Sequence, residues 1–354
     1  MYEWKKNIRR VRPYIPGEQP KEKDIIKLNT NENPYPPAPA VREILRGFCA
    51  DDLRRYPDPA STILVDAIAR RYGLARDQVF VGVGSDDVLA MSFMTFFHSG
   101  RPIFFPDITY SFYDVWAETF AIPYRRIPLD EKFEICPEDY AGENGGLIIP
   151  NPNAPTGIDA GTEKLEQILR ANPDVVVIID EAYVDFGATS LLPLIDRYDN
   201  LLLVQTFSKS RALAGSRIGC AMGNRELIRA LSEVRYAFNS YTMDRVTQAI
   251  GAAAVEDEAY FQEQLARIIA SREWTKGELK RLGFDFPDSR ANFIFARHDR
   301  LSADALYRAL KEEGILVRHF AQPRIDPYLR ISIGTEEEMR TLVAFLDRYL
   351  EKHG

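Results

Sequence analysis

The segment TFSKSRALAGSRIG, residues 206–219, holds a lysine between two serines and follows the apolar run NLLLVQ. Ser208 and Lys209 could begin an ordinary helix, or they could form a chemical site together with Arg217. A lysine at a helix start opposes the helix macrodipole, which favours negative charge at that end. The position of Lys209 therefore indicates a chemical role, although it does not establish one alone.

Two other groups of polar residues follow apolar runs in the same way. Asp180 ends the run DVVVIID, and Tyr183 comes shortly after it. Ligands of parallel sheets collect at such strand ends, although Asp180 could also cap a helix or pair with an arginine. The sequence GVGSDD, residues 82–87, places a glycine–serine turn before a helical pattern. Its free N–H groups could bind a phosphate, or Ser85 could simply cap the helix.

Together these residues supply what one cofactor requires. Pyridoxal phosphate needs an amine for a Schiff base, an acid facing its pyridine nitrogen, a donor to its phenolic oxygen and a cradle for its phosphate. Lys209, Asp180 and Tyr183 match the first three requirements in that order, and Ser208 and Arg217 flank the lysine. No GxxxxGK[ST] occurs and no GxGxxG follows a strand, which disfavours nucleotide binding.

The elements around these residues alternate between strand and helix up to about residue 222. The predicted strands are VFVGVG, RPIFFP, GGLIIPNP, DVVVIID and NLLLVQTF. Continuous apolar runs indicate strands covered on both faces, so we predict an α/β fold with a mostly parallel central sheet in a large domain. Beyond it, a long helical stretch over 247–282 leads to a smaller α/β domain with the strand GILVRHF. We predict an N-terminal arm at 1–39 that packs on the small domain, a large cofactor-binding domain at 40–275 and the small domain at 276–354.

The bulk composition restricts the partners and the location. The chain has 354 residues, of which 45% are hydrophobic and 27% charged, as in a globular enzyme with small-molecule substrates. Its net charge of -7 disfavours a nucleic-acid partner. No apolar stretch indicates a signal peptide or a membrane span, so we expect no membrane partner and a cytoplasmic location. The three cysteines and four histidines lack metal-binding spacing, so we expect no metal site.

Over nearly its whole length the sequence resembles the fold type I pyridoxal-phosphate enzymes, and among them the aminotransferases that act on histidinol phosphate. The segments that carry the resemblance are KLNTNENPYPP, RRYPDP, VGVGSDD, NPNAPTG, IIDEAYVDF, TFSKSRALAGSRIG and YLRISIG. The resemblance implies transamination between histidinol phosphate and 2-oxoglutarate in L-histidine biosynthesis, giving imidazole acetol phosphate and glutamate.

The resemblance also assigns roles at the cofactor. Lys209 would carry the cofactor and then move a proton, Asp180 would keep the pyridine nitrogen protonated, and Tyr183 would donate to the phenolic oxygen. The other implied cofactor contacts are the backbone amides of Ser85 and Asp86, Tyr110 stacked on the ring, Ser208 and Arg217 at the phosphate, and Tyr56 reaching the site of a neighbouring subunit. The role of Tyr56 implies a homodimer, with the arm packed on the partner subunit as well.

One position departs from the family pattern. Members of the family commonly have two asparagines before PTG, and the second contacts the phenolic oxygen, whereas this chain has Ala154 there. Either Asn153 takes over that contact or the contact is missing in this chain.

The implied substrate contacts are concentrated in the arm and the small domain. Arg330 matches the arginine that binds the α-carboxylate of amino acids, and its planar fork suits such anions. Histidinol phosphate carries a phosphate at the equivalent end. Tyr14, Asn31 and Arg318 complete the predicted substrate set, although Arg318 could also be a surface charge on an edge strand.

Other functions on the same fold stay open at this point. An aromatic amino-acid aminotransferase and a threonine-phosphate decarboxylase would use the same cofactor site on other substrates. A sensor domain like those of aminotransferase-like transcription regulators would bind without turnover. Such regulators carry a basic DNA-binding domain ahead of the fold, whereas only about forty residues precede the first helical pattern here.

Overall fold

The structure, a computed structural model, describes residues 2–15, 17–19 and 25–353. The parts of the predicted arm at residues 1, 16 and 20–24, and residue 354 of the predicted small domain, lie outside the described residues. The strands are β1 (Ile26–Lys27), β2 (Val79–Gly82), β3 (Ile103–Pro106), β4 (Tyr124–Ile127), β5 (Leu147–Pro150), β6 (Val177–Asp180), β7 (Leu201–Thr206), β8 (Gly219–Gly223), β9 (Phe284–Asp285), β10 (Phe293–His298), β11 (Ile315–Leu316), β12 (Arg318–His319) and β13 (Tyr328–Ser332).

Helices connect and cover these strands. The α-helices are α1 (Pro39–Gly47), α2 (Thr62–Tyr72), α3 (Ser85–Phe96), α4 (Phe112–Thr119), α5 (Thr162–Ala171), α6 (Arg225–Phe238), α7 (Arg245–Glu256), α8 (Glu258–Arg281), α9 (Ala303–Glu312) and α10 (Glu336–His353). Short 3-10 helices span Glu3–Asn7, Ala50–Arg54, Arg76–Gln78, Pro137–Tyr140, Val184–Phe186, Leu192–Leu194 and Ala214–Ser216.

The large sheet has seven strands in the order β2-β8-β7-β6-β5-β3-β4. Strands β7, β6, β5, β3 and β4 run parallel, whereas β8 pairs antiparallel with both β7 and β2. Strands β6 and β7 are buried along their whole length, because helices cover both faces of the sheet. The expected mostly parallel α/β architecture is confirmed, and the ends of β6 and β7 lie side by side.

The C-terminal part forms a four-stranded antiparallel sheet in the order β12-β13-β10-β9. Helices α8 and α10 contact each other beside it. The arm joins this part, because β1 pairs in parallel with β11. The domain boundaries at 39/40 and 275/276 stay predictions, and the second of them falls within α8.

Two predicted elements were wrong in detail. The helix predicted over 247–282 is interrupted at Asp257, whose side chain accepts a hydrogen bond from the Tyr260 N–H and caps a second helix, α8. The predicted strand GILVRHF divides at Val317 into β11 and β12, which pair with different strands. This division carries Arg318 into register opposite Arg330.

Candidate active site

A cavity of about 340 Å³ lies where β6 and β7 end, between the large sheet, the arm and the four-stranded sheet. Twelve of the predicted site residues line it: Tyr14, Asn31, Ser85, Asp86, Tyr110, Asp180, Tyr183, Ser208, Lys209, Arg217, Arg318 and Arg330. Residues from distant parts of the sequence therefore meet in one space, as the strand-end rule for parallel sheets predicts.

Lys209 follows β7 and brings a primary amine into the cavity. Its Nζ donates a hydrogen bond of 3.0 Å to the carbonyl of Thr30 in the arm. Burial, together with the positive charges of Arg330 and Arg217, lowers the pKa of Lys209 to about 8. An amine with such a pKa is partly unprotonated near neutral pH, and only the unprotonated amine can act as a nucleophile or base.

Asp180, the last residue of β6, is a buried carboxylate with two donors. One oxygen accepts a 2.7 Å hydrogen bond from the Tyr113 hydroxyl and the other accepts one of 3.1 Å from the Ala182 N–H. Burial raises the pKa of Asp180 to about 6, against the opposing effect of these hydrogen bonds. A buried carboxylate that is costly to ionise is stabilised when a cation pairs with it.

Several hydrogen-bond donors that suit an anion meet at one end of the cavity. Helix α3 begins at Ser85, so the N–H groups of Ser85 and Asp86 have no acceptor within the helix. The Arg217 guanidinium donates to the Ser208 hydroxyl at 3.3 Å and to the Asp86 carboxylate at 3.0 Å. Gly84 keeps a positive φ of 87°, and a Cβ there would collide with Arg217. The helix start and the arginine can therefore approach the same small anion.

Aromatic side chains line the cavity next to these donors. The Tyr110 hydroxyl donates to Asp86 at 2.9 Å, and its ring meets Tyr113 edge-on. Tyr14 of the arm stacks on Phe112 with ring centroids 4.2 Å apart. A flat aromatic ligand would thus meet Tyr110 on one side of the cavity.

The opposite end carries two arginines on neighbouring strands. Arg318 of β12 and Arg330 of β13 are cross-strand partners. Arg330 donates to the Asn29 carbonyl at 3.0 Å, while its Nε is buried without a partner in the described part of the chain. Burial lowers the pKa of Arg330, and the nearby charge of Arg318 lowers it further. Two like charges held opposite each other are destabilising without an anion between them.

Comparison with known proteins agrees with this geometry. The pattern of the family described as "Aminotransferase class I and II" matches residues 23–346. The chain belongs to this family. Two relatives are named histidinol-phosphate aminotransferase: one of Lactococcus lactis subsp. cremoris (strain MG1363), 49% identical, and one numbered 1 of Bordetella parapertussis, 52% identical. Each alignment covers 98% of this chain and 98% of the relative.

Solved structures share the fold of this aminotransferase. The histidinol-phosphate aminotransferase of Sinorhizobium meliloti, solved in complex with pyridoxal-5'-phosphate, has a TM-score of 0.84 at 24% identity. The match covers 93% of this chain and 92% of that one. The fold type I aminotransferase fold predicted from the sequence is thereby confirmed.

Two predicted site residues of this aminotransferase do not line the cavity. The Asn153 side chain donates to the Ile108 carbonyl at 3.0 Å and to Thr156, and Ala154 occupies the cavity wall in its place. Whether Asn153 makes the missing contact or the contact is absent stays a prediction, and the Asn153 side chain lies off the cavity wall. Tyr56 is 77% exposed and stacks on Tyr241 at 4.6 Å, away from the cavity of its own chain.

Sequence reasoning missed one residue of this site in particular. Tyr113 is fully buried and bonded to Asp180, yet the sequence offers only an aromatic residue within a helical pattern. Its spacing from Tyr110, one helical turn, is the signal that could have indicated a shared face.

The described residues include no group of three or more His, Cys, Asp or Glu side chains arranged to hold a metal ion. In the same part of the chain, no helix is both long enough and apolar enough to cross a bilayer.

Proposed function

We propose that this aminotransferase uses pyridoxal phosphate to exchange an amino group between histidinol phosphate and 2-oxoglutarate, as a step of histidine biosynthesis. The observation that carries the proposal is that a buried amine, Lys209, lines one cavity together with two groups of donors, Arg217 at the start of α3 and the pair Arg318 and Arg330. One group suits the phosphate of a cofactor and the other suits the anionic group of a substrate. Relatives of about 50% identity that are named for this activity support the choice of substrate.

The residues on the cavity wall fit pyridoxal phosphate. The free amides of α3, Ser208 and Arg217 would hold its phosphate, and Asp180 would face its pyridine nitrogen. Once bound, the cofactor supplies an aldehyde that takes the amino group and a ring that takes up electrons when the substrate loses a proton. Ala154 cannot make the contact to the phenolic oxygen that an asparagine makes in other members of the family. Its small side chain lies on the cavity wall and leaves the cavity open.

Lys209 would bind the cofactor and later move the proton at the reacting carbon. Its pKa of about 8 is close to ordinary working pH, which suits a group that must both accept and return a proton. The Lys209 ammonium group lies 6.0 Å from the Tyr183 ring centre, so both side chains reach the same part of the cavity.

Arg330 and Arg318 would bind the anionic end of the substrates. A single arginine can hold the carboxylate of glutamate in a bidentate pair. A phosphate dianion can use both arginines, because it has more charge and more oxygens to distribute between them. This difference gives one site that accepts glutamate and favours the phosphorylated amine.

A substrate panel tests the function. Purified protein loaded with pyridoxal phosphate would be supplied with 2-oxoglutarate and, in separate reactions, histidinol phosphate, histidinol, phenylalanine or threonine phosphate, and glutamate and carbon dioxide would be measured. We expect glutamate from histidinol phosphate at a kcat/KM at least about tenfold above that for phenylalanine. Turnover of phenylalanine without turnover of histidinol phosphate would overturn the proposed substrate, and carbon dioxide from threonine phosphate would indicate a decarboxylase.

The two arginines should separate the two substrates kinetically. For Arg318→Gln we expect the KM for histidinol phosphate to rise about tenfold or more, with a smaller change for glutamate, because the dianion loses one of two charge-assisted partners. For Arg330→Gln we expect the KM of both substrates to rise. Arg297→Gln is the control, since Arg297 belongs to the same sheet but pairs with the exposed Asp285. Equal effects of Arg318→Gln on both substrates would contradict the assignment.

We also propose that the active unit is a homodimer in which Tyr56 reaches the cofactor phosphate in the partner's site. Its exposure, with the neighbouring exposed side chains of Leu53 and Phe238, is consistent with a surface that another chain covers.

Mixed dimers test the assignment of Tyr56. Lys209→Ala and Tyr56→Ala chains, each inactive or strongly impaired alone, would be co-expressed with different tags. A mixed dimer then has one site with both defects and one with neither, so random pairing should restore about a quarter of the wild-type sites. If Tyr56 acted within its own chain, each mixed dimer would carry one defect per site and activity would not return.

A further inference from the structure

Asn31 occupies an unusual backbone position at the meeting point of three parts of the chain. It adopts the left-handed conformation with φ 55° and is 1% exposed. Its carbonyl accepts a hydrogen bond from the Asn292 side chain before β10, and its N–H donates to the Ser332 hydroxyl of β13. Asparagine is among the few residues that tolerate this conformation, so the backbone here is fixed from several sides.

The hydrogen bonds around Asn31 also fix which way its side-chain amide faces. The Ser332 oxygen accepts from the Asn31 N–H at 2.9 Å, so the single Ser332 proton is free for the Asn31 Oδ1, also at 2.9 Å. With Oδ1 committed to a donor, the amide nitrogen must lie on the other side. There it donates to the Tyr183 hydroxyl oxygen at 2.9 Å.

This arrangement determines where Tyr183 can donate its own proton. A phenol that accepts from an amide keeps one proton to give. Within the part of the chain that the structure describes, the Tyr183 hydroxyl donates to no residue, while Tyr183 lines the cavity. The neighbouring wall residue Ala154 carries no donor of its own. The proton of the Tyr183 hydroxyl is thus left for a group bound in the cavity that Tyr183 lines.

We infer that Asn31 is a positioning residue that acts through Tyr183: it holds the phenol as a donor toward the phenolic oxygen of the bound cofactor. The inference rests on the proposed function, because it concerns a contact to pyridoxal phosphate. It also gives Ser332 a role, since the Ser332 hydroxyl sets the direction of the Asn31 amide. The ionisable groups that face Tyr183 are Lys209, Arg330, Asp180, Tyr14, Tyr110 and Tyr113.

The pH midpoint of the absorbance band of the bound cofactor tests this inference without any turnover. A donor to the phenolic oxygen stabilises its negative charge and favours loss of the proton from the Lys209–cofactor nitrogen. For Asn31→Gly, which retains the left-handed backbone and adds no charge, we expect the midpoint to rise by about 0.5–1 pH unit. Ser332→Ala should shift it in the same direction. The dissociation constant of pyridoxal phosphate should increase about twofold to tenfold in both variants.

The Tyr183→Phe background provides the matched control. There the phenol is absent, so adding Asn31→Gly should move the midpoint by less than about 0.2 pH unit. An unchanged midpoint in both Asn31→Gly and Ser332→Ala would overturn the inference, as would an equal shift with and without the phenol. Wild-type protein that shows no pH-dependent cofactor band would instead count against the proposed function and is distinguishable from these results.

Discussion

Replacing Lys209 with alanine is expected to lower kcat by more than about 10⁴-fold while leaving the fold intact. In the proposed function the amine is both the attachment point of the cofactor and the proton carrier, and each of these roles would contribute orders of magnitude to the rate. Glutamate formation from histidinol phosphate would measure the loss of kcat, and circular dichroism of the purified variant would show whether the fold is intact.

Two controls separate chemistry from structure in this variant. A small primary amine added to Lys209→Ala should restore part of the rate, because it can supply the missing base. Lys164→Ala should retain wild-type activity, since Lys164 forms a partly exposed ion pair with Glu134. Substantial activity of Lys209→Ala without added amine would contradict the central role of this residue.

Asp180→Asn should produce the second largest effect, a loss of about 10²–10³-fold in kcat. In the proposed site the carboxylate would stabilise positive charge on the ring nitrogen of the cofactor, and a neutral amide could not. Steady-state kinetics of the cofactor-saturated variant would measure the loss. A rate near that of the wild type would show that the ring needs no ionised partner here.

The pH dependence of cofactor binding gives an independent test of the same carboxylate. Burial raises the pKa of Asp180 to about 6, so below that pH the carboxyl is mostly protonated and would have to lose its proton to pair with the ring nitrogen of the cofactor. Affinity for pyridoxal phosphate should therefore fall more steeply below pH 6 in the wild type than in Asp180→Asn, by up to about tenfold per pH unit.

Glu181 provides the matched control for this titration. It is buried beside Asp180 but accepts hydrogen bonds from Gln205, Ser190 and the Leu191 N–H, and it does not line the cavity. Glu181→Gln should retain the wild-type slope. Identical slopes for Asp180→Asn and the wild type would contradict the account of Asp180.

The sequence predicted that Asp180 and Lys209 would meet at one edge of the sheet because both residues follow regular elements. Asp180 and Lys209 follow two continuous apolar runs, and such runs become adjacent parallel strands whose ends meet. The Thr335–Glu338 sequence, typical of a capping box, likewise begins α10 with both reciprocal hydrogen bonds.

Features that depend on tertiary contacts could not be predicted in the same way. The bond of Asn31 to Ser332 joins residues 301 positions apart, and the bond of Tyr113 to Asp180 depends on how α4 packs against the sheet. Asn153 and Ala154 are neighbours in sequence, but only the path of the loop decides which one faces the cavity. Local sequence patterns do not predict these contacts, because the contacts depend on how distant parts of the chain pack together.

The most direct test of the proposed function follows the amino group itself. Histidinol phosphate labelled with ¹⁵N would be mixed with cofactor-loaded protein in the absence of a keto acid, and 2-oxoglutarate would then be added. We expect about one equivalent of imidazole acetol phosphate per active site in the first step, and ¹⁵N in glutamate only after the second. Absence of the keto product in the first step, or glutamate without the label, would contradict transfer of the amino group through this site.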